Sequence, residues 1–314
     1  MTPLGVPETP RRGGVFFYSA VATMRSLTRS LLRTTACVIL TTGSISLASA
    51  QGDAKRGAYL AKAGGCVACH TEDKKGAVPF AGGRALETPF GKFYGPNITP
   101  DDQTGIGRWS EADFLRAMRM GVRPDGAHYY PAFPYPSFTK ITDRDLGDLW
   151  AYLRTVPASN RASKAHELTF PYNWRFLIRF WKWFFFKPGA FKPMPGNTEV
   201  VNRGAYLVRA LGHCGECHTP RNFMGGPIED RYLGGGTGPD GKDVPNLTPA
   251  RLKKWNDAEL KDFLTTGLTP DGDVASETMG EVVRNTTGQL TPQDLTAMVA
   301  YLRHIPPVAN PTKN

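Results

Sequence analysis

The chain has 314 residues, with 38 Lys+Arg against 28 Asp+Glu, 34 glycines, 26 prolines and five cysteines. That length suggests about two domains, the apolar content of 40% is ordinary for a globular protein, and the glycine and proline load predicts many turns and long loops around short helices. Residues 1–50 hold five arginines and one glutamate, leaving 33 basic and 27 acidic residues in the remainder, a surplus too mild to argue for nucleic acid as a partner.

Residues 1–50 read as a leader with an export signal. Arg25, Arg29 and Arg33 follow Met24, a candidate start, and form a positive region. Ala36 to Leu47 is a short apolar stretch, and Ala48-Ser49-Ala50 is a small-residue cleavage site that leaves Gln51 as the mature start. The apolar run is short for a bilayer core of about 30 Å. Cys37 lies inside this leader and leaves with it. The other four cysteines form two pairs, Cys66/Cys69 and Cys214/Cys217. In an exported protein such pairs normally suggest disulfides, but a histidine follows each pair at once.

The motifs are Cys66-Val67-Ala68-Cys69-His70 and Cys214-Gly215-Glu216-Cys217-His218. C-x-x-C-H is the attachment signature of c-type haem. Two thiols reach the two vinyl groups on one porphyrin edge, and the histidine after the second thiol lies under the iron as its proximal ligand. No further Cys/His pair of zinc spacing accompanies either motif. The expected cofactors are two covalently bound haems c, held by Cys66, Cys69, Cys214 and Cys217, with His70 and His218 on the irons.

The flanks repeat as well. Arg56-Gly57-Ala58-Tyr59-Leu60 matches Arg203-Gly204-Ala205-Tyr206-Leu207, Trp109-Ser110-Glu111-Ala112 parallels Trp255-Asn256-Asp257-Ala258, Pro124-Asp125-Gly126 parallels Pro270-Asp271-Gly272, and Ala151-Tyr152-Leu153-Arg154 parallels Ala300-Tyr301-Leu302-Arg303. The division is a leader over 1–50, a first domain over 51–160, an aromatic and basic linker over 161–196 and a second domain over 197–314. Each repeat predicts three main helices. The first starts near Asp53 or Asn202 as N-cap. The middle one opens on a capping box, Ser110 with Asp113 or Asn256 with Glu259, and stops at Gly121 or Gly267. The last starts at Thr142 or Thr291 and sets Leu146, Leu149, Trp150, Leu153 or Leu295, Met298, Val299, Leu302 on one face, a core face.

The linker carries Phe170 through Phe191 interleaved with Arg175, Arg179, Lys182, Lys187 and Lys192. It reads as a segment packing its rings between the two domains, as an interfacial contact with a membrane through 174–192, or as a dehydrogenase docking surface. Arg179 and Lys182 break its apolar run, so it is not a spanning helix.

Residues 52–310 resemble the cytochrome c subunits of membrane-bound periplasmic dehydrogenases of the alcohol, gluconate and aldehyde type. Arg-Gly-Ala-Tyr-Leu ahead of each haem motif, Gly95-Pro96-Asn97-Ile98-Thr99-Pro100-Asp101 and Tyr130-Pro131-Ala132-Phe133-Pro134-Tyr135 carry the resemblance. It implies an all-α fold of two tandem class I cytochrome c-like domains, periplasmic location, and electron transfer from a dehydrogenase or small donor to a downstream cytochrome or oxidase. It also places the sixth iron ligand of the second domain at Met279. At the aligned position of the first domain stands Phe133, which does not ligate iron. Three options stay open there: His128 five residues earlier, Met118 or Met120 on the middle helix, or an open site. An open first haem would suit a different function, a dihaem enzyme of peroxidase-like or sulfur-compound-oxidising type.

Overall fold

The computed structural model describes residues 52–238 and 241–310, so the expected leader and Cys37 lie outside the described residues. In the first half, α1 (Ala54–Ala63) leads into α2 (Cys66–His70); a hairpin of β1 (Ala85–Thr88) and β2 (Gly91–Tyr94) follows, then α3 (Glu111–Met120), α4 (Tyr135–Phe138) and α5 (Asp143–Leu153). The connection holds β3 (Glu167–Leu168) and α6 (Leu177–Phe185). The second half runs α7 (Glu199–Tyr206), α8 (Gly215–His218), β4 (Gly236–Thr237), β5 (Asp243–Val244), α9 (Pro249–Leu252), α10 (Asp257–Thr266), α11 (Glu277–Asn285) and α12 (Pro292–His304).

The fold is mainly helical but not purely so. β1 and β2 pair antiparallel with Ala85 opposite Tyr94, and β3 adds to β2 with Gly91 opposite Leu168. These short strands sit where the sequence predicts loops. They form because Thr88-Pro89-Phe90-Gly91 turns the chain tightly: the Thr88 hydroxyl donates to the Gly91 carbonyl at 2.7 Å.

The local signals act as expected at most helix ends. Ser110 and Asp113 form a complete capping box, as do Asn256 and Glu259, and Gly121 and Gly267 close α3 and α10 in the left-handed conformation. Thr142 and Thr291 accept from the backbone N–H groups of Asp145 and Asp294. One start differs: α7 begins at the Thr198 cap, four residues before Asn202. Asn202 instead ties the helix to its approach, its Oδ1 accepting from the Met194 N–H at 2.7 Å.

The core of each half is the crossing of its first and last helices. Leu60, Leu146, Leu149 and Leu153 are buried in one half's core, and Leu207, Val208, Leu295, Val299 and Leu302 in the other's. Trp150 is half-buried and stacks on Phe114 at 5.5 Å. Glycine sets how closely the helices cross. A Cβ on Gly57 would lie 1.9 Å from the Asp148 carbonyl oxygen, and one on Gly204 would lie 1.8 Å from that of Ala297. This is the physical reason for Arg-Gly in both repeats.

The tyrosine and arginine of the same motif do separate work. Arg56 pairs with Asp145 and Asp148 of its own half, and Arg203 holds Asp294 with two bonds of 2.8 and 2.7 Å. The tyrosines cross over. Tyr59 donates to Asp294 at 2.6 Å and accepts from the Thr291 N–H; Tyr206 donates to Asp145 at 2.6 Å and accepts from the Thr142 N–H. Each half thus fastens the N-terminus of the other half's last helix. Tyr59→Phe is expected to destabilise by about 1–2 kcal/mol, since Asp294 loses one of its partners in a buried place. Chemical denaturation measures it, and an unchanged midpoint would deny the cross-tie its role. Burial alone would raise the Asp294 carboxyl, but Arg203 and Tyr59 together hold it below the ordinary carboxylate range. Its contribution is therefore full above the unfolded-state value near pH 4 and fades as pH falls through the depressed native one.

A one-residue difference between the repeats is absorbed in the first helix. Between the arginine of the motif and the first cysteine the second repeat has one residue more. A π-helical turn over Leu207–Leu211 takes it up, with Gly212 N–H bonding the Leu207 carbonyl at 2.7 Å, where Gly64 bonds Leu60 in the first half.

Candidate functional site

Each C-x-x-C-H segment sits on a single helical turn entered through a left-handed residue. Gly65 (φ 61°) precedes Cys66, and His213 (φ 40°) precedes Cys214. The kink ends the first helix and restarts a short one, so both cysteines and the histidine fall on one turn beside the helix crossing. None of the four thiols is in a disulfide. The surrounding protein pushes the Cys66 and Cys214 thiols up to about 12 and Cys69 to about 11, through burial first and then neighbouring thiols or the Glu281 carboxylate.

Both imidazoles are held the same way. His70 Nδ1 lies 2.7 Å from the Pro96 carbonyl, and His218 Nδ1 lies 2.7 Å from that of Pro245. A carbonyl only accepts, so Nδ1 carries the proton and the Nε2 lone pair is the ligating position. Burial lowers both pKa values and keeps the rings neutral, the form that binds a metal.

The carbonyls are themselves fixed. Asn97 Oδ1 accepts from the Thr99 N–H and hydroxyl at 2.9 and 2.7 Å, while Nδ2 donates to Ser159 at 2.7 Å. Asn246 does the same with Thr248 and Val308. In the sequence only Pro96-Asn97-Ile98-Thr99 stands out; the signal that would have found its counterpart is a second copy of Pro-Asn-x-Thr at Pro245-Asn246-Leu247-Thr248. Gly95 lets this strut approach the motif: a Cβ there would lie 1.8 Å from the Cys69 carbonyl oxygen. Two thiols outside any disulfide beside a neutral imidazole with its Nε2 aimed away from its strut are the donor set that fits a covalently attached haem.

The distal candidates differ between the halves. Met279 lies half-buried on the first turn of α11, packed against the core, with its N–H capped by Ser276. Phe133 is half-buried in a ring cluster with Tyr129 at 5.1 Å and Phe138 at 5.7 Å. Met118 is buried in the core and Met120 is exposed. His128 Nδ1 lies 3.1 Å from Lys182 Nζ of α6, and its carbonyl accepts from Arg175 at 2.8 Å. An ammonium donating to Nδ1 leaves the proton on Nε2, the tautomer that does not ligate iron. His128 ligates only by giving up Lys182.

The two motifs lie close to one another. The Cys217 thiol is near enough to raise the pKa of Cys69. His213 hydrogen-bonds the Gly64 backbone and meets Phe138 edge-on at 5.4 Å. Ser137 donates to Glu216 at 2.6 Å and Arg84 pairs with Glu281 at 2.9 Å. His213, directly before Cys214, thus reaches from the second attachment loop to the first half.

The family model described as cytochrome c matches residues 54–157 and again 201–306. The chain is 44% identical over 262 residues to a diheme cytochrome c-type protein of Cereibacter sphaeroides, covering 82% of this chain and 87% of that one. With the gluconate 2-dehydrogenase cytochrome c subunit of Pantoea cypripedii it shares 38% identity over 85% of this chain and 64% of the relative. It is 39% identical to the fructose dehydrogenase cytochrome subunit of Gluconobacter japonicus over 80% of this chain and 52% of the relative. The chain thus spans less than two thirds of the latter two. With its pattern matched in both halves and a relative this similar along nearly its whole length, the chain belongs to the cytochrome c family.

Proposed function

We propose that the protein is an exported, periplasmic dihaem cytochrome c of two tandem class I domains. It takes electrons from a dehydrogenase or small donor and passes them to a downstream cytochrome or oxidase of the respiratory chain. The relatives named as cytochrome subunits of gluconate and fructose dehydrogenases support a dehydrogenase as donor. The observation that carries the reading is the meeting of the two halves at their attachment loops, where Ser137 donates to Glu216 at 2.6 Å, Arg84 pairs with Glu281 at 2.9 Å and Phe138 meets His213 edge-on at 5.4 Å.

Haem, when bound, supplies the one-electron redox step. The chain does the rest. Cys66, Cys69, Cys214 and Cys217 would hold the two haems covalently, and His70 and His218, held through Nδ1, would offer Nε2 to the irons. The Pro96 and Pro245 carbonyls fix ring orientation and make the imidazoles better donors. Met279, half-buried on the first turn of α11, would hold the iron of the second site. His128 is the candidate for the first, against its hold on Lys182. Methionine raises the potential relative to histidine, so electrons run from the first site to the second.

A second reading, a dihaem enzyme with an open first site, rests on Phe133 standing where the second domain has methionine. Spectropotentiometric titration of the purified holoprotein, with and without carbon monoxide, separates them. Two midpoints with no rapid carbon monoxide binding are expected of the relay. A single shared midpoint would remove the relay, and rapid binding at one haem would favour the enzyme.

A further inference from the structure

The helix α6 is built inside out. Its lysine points inward: Lys182 Nζ donates to the Met120 carbonyl and sits over the Tyr135 ring at 4.9 Å and the Phe186 ring at 5.1 Å. Most of its rings point outward. Phe176, Phe180 and Phe184 are each more than half exposed and Trp183 is 79% exposed. Phe170 and Trp174, in the approach to the helix, are exposed too, and ring contacts run from Phe170 through Trp174 and Phe176 to Phe180.

Hydrophobicity alone would turn this helix over, since burying a lysine costs energy and burying rings returns it. The Lys182 anchor fixes the opposite orientation. The patch extends to the second half, where α6 touches the neighbouring turn through Trp181 Nε1 bonding the Met224 carbonyl at 3.2 Å, and Phe223 in that turn is 94% exposed. So large an apolar surface on a folded chain marks an interaction site.

Charge identifies what covers it. Residues 168–198 contain no carboxylate and carry Arg175, Arg179, Lys182, Lys187 and Lys192. Arg179 stands among the exposed rings, lining an open hollow with Phe176, Phe180 and Trp183, and Lys187 and Lys192 are exposed. Tryptophan and phenylalanine at the acyl boundary with cations at the phosphate level suit an anionic bilayer surface. At nine residues α6 is about 13.5 Å long, less than half of a hydrocarbon core of about 30 Å. Among the described residues no helix is long and apolar enough to cross a membrane.

We infer that the aromatic face of α6, with Phe170, Trp174 and Phe223 beside it, lies flat in the head-group region of an anionic phospholipid bilayer and holds the cytochrome at the membrane surface. This rests on the exposed surface alone and is independent of which donor or acceptor the protein serves.

The test is co-sedimentation of the holoprotein with vesicles of phosphatidylglycerol and phosphatidylethanolamine, or of phosphatidylcholine, read by haem absorbance and by the tryptophan emission shift. Wild type is expected to bind the anionic vesicles about tenfold more tightly than the neutral ones. The triple variant F180S/W183S/F184S is expected to lose roughly a hundredfold on both, and R179E/K187E only the anionic preference. These side chains are exposed, and an unchanged visible spectrum and circular dichroism establish that the variants fold. Wild type that ignores both vesicles at low salt, or a triple variant that binds as wild type does, would overturn the inference. So would rings that prove to bind a dehydrogenase and not lipid.

Discussion

Gly204→Val is expected to abolish stable folding of the second haem domain. The new Cβ would lie 1.8 Å from the Ala297 carbonyl oxygen and 2.7 Å from the Tyr301 Cβ. Both neighbours belong to the rigid crossing of α7 and α12, so neither moves without parting the helices. Overpacking a core costs about 1–3 kcal/mol and occasionally more, and a clash this close with backbone lies at the upper end, a large fraction of the stability of a small domain. Gly204→Ala tests the same contact more gently. Chemical denaturation of holoprotein should show a lowered midpoint for alanine, and valine should give protein with one haem incorporated or none. Gly57 faces Asp148 in the same way and should behave alike. A valine variant of native stability and full haem content would show that the crossing is not set by glycine.

The second large effect is on the irons. Met279→Ala is expected to lower the potential of the second haem by on the order of 100 mV, within the ~0.8 V that axial ligands span, and to open that site to carbon monoxide. Phe133→Met makes the reciprocal change. It should raise the potential of the first haem and, if that site is open, close it to carbon monoxide. Ring contacts of Phe133 with Tyr129 and Phe138 are lost in the exchange, so a modest fall in stability should accompany it. Spectropotentiometry of each variant against wild type decides. A second midpoint unmoved by Met279→Ala would remove Met279 from the iron.

How much of the fold is legible in the sequence depends on distance along the chain. The capping boxes at Ser110 and Asn256, the closing glycines Gly121 and Gly267, and the apolar face of α12 are local, and the structure places them as the residues suggest. The start of α7 lies four residues ahead of the expected cap, because Asn202 looks like a cap until its partner at Met194 is seen. The π-helical turn before Cys214 is visible only as a shift in the repeat spacing. Tyr59 and Tyr206 stand in a repeated motif, yet nothing in the sequence tells that each reaches the other half.

The site shows the same limit. Cysteines and histidines in C-x-x-C-H announce themselves, whereas the struts that orient the imidazoles lie 26 and 27 residues downstream. His128 illustrates the opposite case. Its position in the loop suggests an iron ligand, and only the fold reveals the Lys182 ammonium already on its Nδ1. The linker shows its composition in the sequence but not its orientation: that Lys182 faces in while Phe180, Trp183 and Phe184 face out depends on Tyr135 and Met120, more than forty residues away.

The most direct measurement is the haem content and intact mass of the mature protein, expressed in cells that carry the cytochrome maturation machinery. The expected result is two haems per chain by pyridine haemochrome, both retained after acid-acetone extraction, with an intact mass raised by two haem groups. The paired variants Cys66→Ala/Cys69→Ala and Cys214→Ala/Cys217→Ala should each leave one. A colourless protein whose mass is that of the polypeptide alone would contradict the reading of both sites.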